Sequence, residues 1–175
     1  MTTRRSQSLT DLLKDKEEIR VLFVCLGNIC RSPAAEGVML DILAGAPEHE
    51  RRRWTVDSAG TGNYHVGELP DSRMRVHARR RGIELTHLCR QVCGSDFDDF
   101  DIIVAMDASN ERNLRRVAPT PEAEKKIVPM ADFFTLATRY DYVPDPYYEG
   151  AEGFELVLDL LQDACTNLFE TLRRK

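Results

Sequence analysis

The stretch from Val21 to Leu43 constrains the fold more than any other part of the chain. A short apolar run, Val21 to Val24 (VLFV), passes directly into Cys25-Leu26-Gly27-Asn28-Ile29-Cys30-Arg31-Ser32-Pro33, after which Ala34, Ala35, Val38, Met39, Ile42 and Leu43 recur at helical spacing until Gly45 and Pro47 stop them. A buried strand that turns through a tight loop into an apolar-faced helix is the opening half of a βαβ unit, whose next strand lies parallel to the first.

The rest of the chain repeats that alternation. Trp54 to Val56 reads as a second strand ending in Asp57-Ser58-Ala59-Gly60, and a glycine-containing loop then leads to a basic helix closed by Gly82. Asp101 to Ala105 (DIIVA) is the third strand, followed by a helix that Asp107 can cap and that carries Leu114 and Val117. Lys126 to Val128 (KIV), bounded by Pro129, is a short fourth strand, and a long loop follows it through Asp145. Phe154, Val157, Leu158, Leu161, Cys165, Leu168 and Leu172 share one face of a final helix. The order β-α-β-α-β-α-β-α predicts an α/β single domain: a twisted parallel sheet with helices on both faces, the three-layer Rossmann-like or flavodoxin-like architecture. Such sheets bind ligands beyond the carboxyl ends of their strands, where the segment after Val24 lies.

Residues 1–19 stand outside this scheme and are read as an N-terminal extension, flexible or loosely packed, in which Ser8 to Asp11 could cap a short helix carrying Leu12, Leu13 and Ile19; residues 20–175 form the domain proper. Several functional classes are disfavoured by composition. The formal charge of −5 argues against a general nucleic-acid binder, and the basic run Arg73 to Arg81 reads as a solvated helix face. No apolar run approaches the roughly 20 residues of a membrane helix, and the acidic residues near the start argue against an organelle transit peptide, so a cytoplasmic location is expected. The five cysteines (Cys25, Cys30, Cys89, Cys93, Cys165) are odd in number and unevenly spaced, which suits free thiols in a reducing compartment.

The chemistry concentrates in the loop after the first strand. A loop that enters a helix N-terminus points backbone N–H groups inward, and the helix adds roughly half a positive charge, so a phosphate dianion binds there readily. Gly27 and Asn28 are residue types that tolerate a left-handed backbone, and Pro33 suits a first helical turn. The same field favours a thiolate over a thiol, which makes Cys25 the expected nucleophile. Arg31 supplies a planar fork for two phosphate oxygens, and Ser32 can hydrogen-bond the sulfur. The phosphate-binding segment is thus Leu26, Gly27, Asn28, Ile29, Cys30, Arg31 and Ser32. A phenolate or alkoxide leaving group needs a proton, and Asp145, in Asp145-Pro146-Tyr147-Tyr148, is the best-placed acid.

These motifs, CLGNICRSP after the first strand, DSAGT after the second, MDASN after the third and DPYYEG before the last helix, resemble the low-molecular-weight protein tyrosine phosphatases over about residues 20 to 174. The resemblance implies a four-stranded parallel sheet, Cys25 as nucleophile, Arg31 as phosphate clamp and Asp145 as general acid and then base, with no metal and no cofactor. It implies that Asn28, Ser32, Ser58 and His87 form a supporting network beneath the loop, and that Leu26, Ile29, Tyr64, Tyr147 and Tyr148 wall a deep cleft suited to phosphotyrosine. The expected partners are therefore phosphotyrosyl proteins or peptides, with inorganic phosphate as product and vanadate as inhibitor, acting on a monomer.

Other readings bear on the same residues. Similar phosphoarginine phosphatases are expected to carry Thr where Ile29 stands, and related arsenate reductases need a cysteine pair after the third strand, where this chain has Ala105-Met106-Asp107. An idle phosphate-binding module would have lost one of Cys25, Arg31 and Asp145. Cys30 is read as a redox partner that captures oxidised Cys25 in a disulfide. His87, Cys89 and Cys93 match no common zinc spacing, His49, His65 and His77 read as polar surface residues, and Cys165 as core.

Overall fold

The structure, a computed structural model, describes residues 2–136 and 138–174. Four apolar segments pair as strands: β1 (Ile19–Cys25), β2 (Trp54–Gly60), β3 (Ile102–Ala105) and β4 (Ile127–Pro129). All are parallel, in the order β2-β1-β3-β4, and the register sets Cys25 against Gly60, Val24 against Ala105 and Ala105 against Pro129. The carboxyl tips of the strands therefore end nearly level. Around the sheet run α1 (Arg4–Leu13), α2 (Arg31–Ala44), α3 (Glu48–Arg53), α4 (Ser72–Arg79), α5 (Asp96–Asp99), α6 (Ala108–Val117), α7 (Pro121–Glu124) and α8 (Ala151–Leu172), with a 3-10 turn at Met130–Phe133.

Side chains of β1 alternate between two cores because successive residues of a strand point to opposite faces. Ile19, Val21, Phe23 and Cys25 join the larger cluster, with residues of α2, α4 and α8. Leu22 and Val24 join the smaller one, with Phe97, Leu114 and Ala123 from α5, α6 and α7. A strand covered on both faces has no polar side, which is why VLFV reads as an unbroken apolar run. The chain leaves β1 for β2 through α2 on one face and leaves β3 for β4 through α6 on the other. The crevice between the tips of β1 and β3 is thus the point where the connections diverge, and it opens directly over Cys25.

The N-terminal extension differs from its expectation. It carries α1, capped by Thr3 rather than from Ser8 to Asp11, and Ser6, Thr10 and Leu13 are buried while Leu12 faces out. The Asp132 carboxylate, on the 3-10 turn, accepts from the Thr3 amide at 3.2 Å and the Thr3 hydroxyl at 2.6 Å, and also from Ser6 Oγ. These partners lie more than a hundred positions apart, so no local pattern signals the docking. Ile19 belongs to β1, and the short helices α3, α5 and α7 were not anticipated.

Arg53 ties the extension to the last helix. Its guanidinium, buried, donates to Lys16 O at 2.7 Å, Lys14 O at 2.6 Å and Leu172 O at 2.7 Å, beside the carboxylate of Glu50. Arg53→Met strands three carbonyls and the buried Glu50 together, so urea denaturation should register a loss of about 3 kcal/mol. A loss below about 1 kcal/mol would mean that water or a shifted side chain replaces the lost donors.

Candidate active site

The loop between β1 and α2 is held by its carbonyls. Cys25 O accepts from Thr61 N at 2.9 Å, Leu26 O from Gly62 N at 2.8 Å, Ile29 O from Asp71 N at 2.8 Å and Cys30 O from Ala34 N at 3.2 Å. Asn28 O accepts from the thiol of Cys89 at 2.7 Å. Among the described residues, the amides of Leu26, Gly27, Asn28, Ile29 and Cys30 donate to no protein group. A loop with its carbonyls bonded outward and its N–H groups left over is a ring of donors, and it opens on the N-terminus of α2, where the helix dipole adds positive potential.

The backbone path asks for particular residues. Asn28, at φ 57°, is the one non-glycine with positive φ among the described residues. Gly27 does not share that conformation, contrary to expectation; its constraint is space, since a Cβ there would meet the His65 ring at 3.2 Å. Gly60 is held more tightly, because a Cβ would lie 2.6 Å from Leu26 O and 3.0 Å from Asn28 N. The end of β2 can brace the loop only with hydrogen at that position.

A directed chain of hydrogen bonds runs beneath the loop to Cys25. Asn28 Oδ1 accepts from the Arg90 amide at 3.0 Å, which fixes that atom as the oxygen and makes His87 Nε2, also 3.0 Å away, the donor. Asn28 Nδ2 then donates to Ser32 Oγ at 2.7 Å and to Ser58 Oγ at 3.0 Å. Ser32 Oγ lies 3.0 Å from Cys25 Sγ, and its hydroxyl proton is free to serve the sulfur or, at 3.3 Å, Ala59 O. Asn28, Ser32, Ser58 and His87 are thus brought together under the loop, and the chain polarises toward the sulfur.

Arg31 opens α2 and is buried, with Nη1 donating to Asp107 Oδ2 at 2.6 Å and to Val143 O at 3.0 Å. Burial works against its charge, yet the Cys25 sulfur and the Asp107 carboxylate outweigh burial and push its pKa up, so it remains a cation. Asp107 also accepts from Asn110 N at 2.8 Å and so caps α6, as expected; its hold on Arg31 was not foreseen, although MDASN had been singled out. Arg31 Nη2 stands 3.7 Å from Asp145 Oδ2, and Asp145 Oδ1 accepts from Tyr147 N at 3.1 Å.

Cys25 and Arg31 lie on the floor of a cavity of about 280 Å³, with Asp145 in its wall. Leu26, Ile29, Tyr64, Tyr147 and Tyr148 line it as well, Tyr148 only at the rim, where it is 93% exposed. Cys30 lines the same cavity but is buried, and desolvation, together with the charge of Asp71, pushes its thiol pKa up. The histidines divide differently from expectation. His49 is exposed, but His65 forms part of the cavity wall, and His77 is buried, stacked on Phe154 and paired with Glu155 at 2.6 Å. Neighbouring side chains account for both: His65 packs over Gly27, and α8 covers His77. The basic run is likewise occupied by acids, with Arg79 on Glu84 and Arg81 on Glu155 and Asp159.

His87, Cys89 and Cys93 do not converge: Cys89 serves Asn28 O, and Cys93 is exposed beside Ser95. His87 Nδ1 instead meets Glu36 Oε1 and Asp57 Oδ1, each at 3.3 Å, a cluster in which sequence reading found neither acid. Nε2 carries the proton for Asn28, and burial pushes the His87 pKa down, which favours the neutral ring with Nδ1 facing the two acids. Burial and then the adjacent Asp57 push the Glu36 pKa from 4.5 up to about 8, and its buried Oε1 has no hydrogen-bond partner among the described residues.

A family model described as low molecular weight phosphotyrosine protein phosphatase matches residues 20–175. A putative low molecular weight protein-tyrosine-phosphatase of Synechocystis is 44% identical over 157 residues, covering 90% of this chain and 98% of that one. The crystal structure of a protein tyrosine phosphatase from Entamoeba histolytica superposes with a TM-score of 0.83 at 45% identity, covering 89% of this chain and 97% of that one. A Drosophila arginine phosphatase superposes with a TM-score of 0.80 at 31% identity, covering 90% and 99%.

A carboxyl group whose pKa is raised on folding contributes stability that is complete below its unfolded value and lost as pH rises through its folded one. Wild type should therefore lose ground to Glu36→Gln between pH 4.5 and about 8 and run parallel to it above that range, as read from urea midpoints. Parallel profiles throughout the window would show that Glu36 ionises as an exposed carboxylate does. With the strand order, the loop after β1 and the matches over nearly its whole length in agreement, the chain belongs to the low molecular weight phosphotyrosine protein phosphatase family.

Proposed function

We propose that this protein hydrolyses phosphotyrosine monoesters of proteins through a phosphocysteine intermediate. The observation that carries the reading is the loop after Cys25, whose carbonyls at Cys25, Leu26, Asn28 and Ile29 are bonded by neighbouring segments while, among the described residues, its amides from Leu26 to Cys30 have no protein partner. A phosphate dianion seated there takes up those donors, and Arg31 bridges two of its equatorial oxygens. The sulfur attacks phosphorus; the S–P bond forms as the bond to the leaving oxygen breaks, and Asp145 delivers a proton to that oxygen. Asp145, now a carboxylate, takes a proton from water as the water attacks phosphorus, and the sulfur departs as a thiolate that the Ser32 hydroxyl and the α2 dipole stabilise. Inorganic phosphate is the product, and no step calls for a metal.

Aromatic and aliphatic walls around the cavity fit an aryl ester, whose ring reaches past the loop, better than a phosphoserine, whose short side chain leaves them unfilled. The likeness to an arginine phosphatase gives a second reading, phosphoarginine hydrolysis, but Ile29 in the wall favours the aryl ring over a polar guanidinium. Parallel turnover of phosphotyrosyl and phosphoarginyl peptides separates the two. The five free cysteines suit work in a reducing compartment such as the cytoplasm.

Cys25→Ser should lower kcat/KM by at least about a thousandfold while vanadate and phosphopeptide still bind. Asp145→Ala should lower it about a hundredfold for phosphotyrosyl peptides and much less for esters with good leaving groups. Full activity of Asp145→Ala on phosphotyrosine would assign the acid elsewhere.

The neutral Cys30 thiol gives the same site a means of recovery from oxidation. Peroxide converts the Cys25 thiolate to a sulfenic acid; the Cys30 sulfur, giving up its proton, forms an S–S bond as the sulfenic hydroxide leaves, proton and hydroxide departing as water, and an external thiol later reduces the disulfide. After brief peroxide treatment, wild type should regain activity with dithiothreitol while Cys30→Ser passes to irreversibly oxidised forms. Equal recovery in both removes Cys30 from the scheme.

A further inference from the structure

The acid-bearing loop is anchored unevenly. Before Asp145, Val143 is fixed twice, its amide donating to Met106 O at 2.8 Å and its carbonyl accepting from Arg31. After Asp145, among the described residues, no hydrogen bond joins residues 146–149 to the body of the protein, and Gly150 is bonded only into α8, its carbonyl accepting from Gly153 N at 3.0 Å. What holds that side is a cation between two rings. The Arg73 guanidinium carbon stands 5.3 Å from the centre of the Tyr147 ring and 4.9 Å from that of Phe154, in the first turn of α8.

Arg73 is itself held to the phosphate loop. Its Nε donates to Asp71 Oδ1 at 3.1 Å and its Nη2 to Asp71 Oδ2 at 2.9 Å, a two-pronged pair on the residue that caps α4. The Asp71 amide donates in turn to Ile29 O at 2.8 Å, one of the carbonyls that shape the anion cradle. At the other end, Tyr147 N donates to Asp145 Oδ1. A continuous path thus runs from Ile29 through Asp71, Arg73 and Tyr147 to Asp145, and it joins the loop that holds the nucleophile to the loop that holds the acid.

We propose that Arg73 is a positioning residue for the reaction: clamped by Asp71, it sets the Tyr147 ring, and through it the Asp145 carboxyl, at a fixed place over the phosphate. The proposal rests on Asp145 being the general acid. The flat guanidinium is suited to this because it pairs with a carboxylate along one edge while presenting its faces to two rings; an ammonium group can do only one of these well. The favourable pairing with Asp71 also raises the Arg73 pKa, so its charge does not lapse in the working range.

The test separates proton delivery from general damage. Arg73→Ala should lower kcat/KM about tenfold for a phosphotyrosyl peptide, whose leaving group needs the proton, and at most about twofold for p-nitrophenyl phosphate, whose leaving group does not. Vanadate inhibition should stay within about twofold of wild type, which also reports an intact cradle. Arg73→Lys should recover only part of the loss and serves as the second variant if the alanine protein folds poorly. In an Asp145→Asn background, Arg73→Ala should cost nothing further. Equal losses on both substrates, or a loss that persists in the Asp145→Asn background, would overturn the positioning role and leave the acid assignment standing. An Asp145→Asn enzyme without leaving-group selectivity would instead overturn the acid assignment and this proposal with it.

Discussion

The structure depends on keeping the amides of one short loop unbonded within the protein. A buried or half-buried N–H without a partner is costly, so a loop of this length left to itself would turn its donors toward its own carbonyls or toward neighbours. Here the carbonyls are taken first. Thr61 and Gly62 after β2, Asp71 at the start of α4 and the Cys89 thiol each occupy one. The amides from Leu26 to Cys30 are left without a protein partner among the described residues, and their unsatisfied potential is available to an anion.

This requirement explains features far from the sulfur. β2 must run on to Gly60, beside Cys25, because Thr61 and Gly62 follow directly from its end. Gly60 must lack a side chain because the loop backbone passes within contact distance of where one would be. The segment from Glu84 to Val92 adopts little regular structure, yet it brings His87, Cys89 and the Arg90 amide under Asn28 together. Their shared task is to hold one residue in the left-handed conformation and orient its amide group toward two serines.

Much of this was legible in the sequence where the physics is local. The strand and the helix from Val21 onward, the left-handed Asn28 between them, the period of the last helix, Asp107 as a cap and Gly82 as a left-handed stop follow from neighbours within a few positions, and each stands as read. What could not be read depends on distant partners. The docking of α1 rests on Asp132, the Glu36 and Asp57 pair on a histidine brought from another segment, and the burial of His77 on α8. A buried acid in an amphipathic helix looks like an exposed one until the neighbour that covers it is known. Asp107 was recognised in its local part as a cap, while its pairing with Arg31 was hidden for the same reason.

That pairing also accounts for how a single arginine can be both buried and available. An isolated guanidinium taken from water would be too costly to keep at the floor of a cavity, and a partner that neutralised it fully would leave nothing for substrate. Arg31 divides its donors: Nη1 is spent on Asp107 and the Val143 carbonyl, which fix the plane of the group. Nη2 faces Asp145 at 3.7 Å, beyond a good hydrogen bond, and among the described residues makes no other one, which leaves it available for the phosphate oxygens of the proposed reaction. Because Asp107 is held in turn by the first turn of α6, the orientation of Arg31 is set by the crevice between β1 and β3 itself. The sheet topology thus sets the orientation of Arg31 through one carboxylate, and in the proposed reaction the other edge of the guanidinium would meet the charge that builds up on the transferring phosphoryl group.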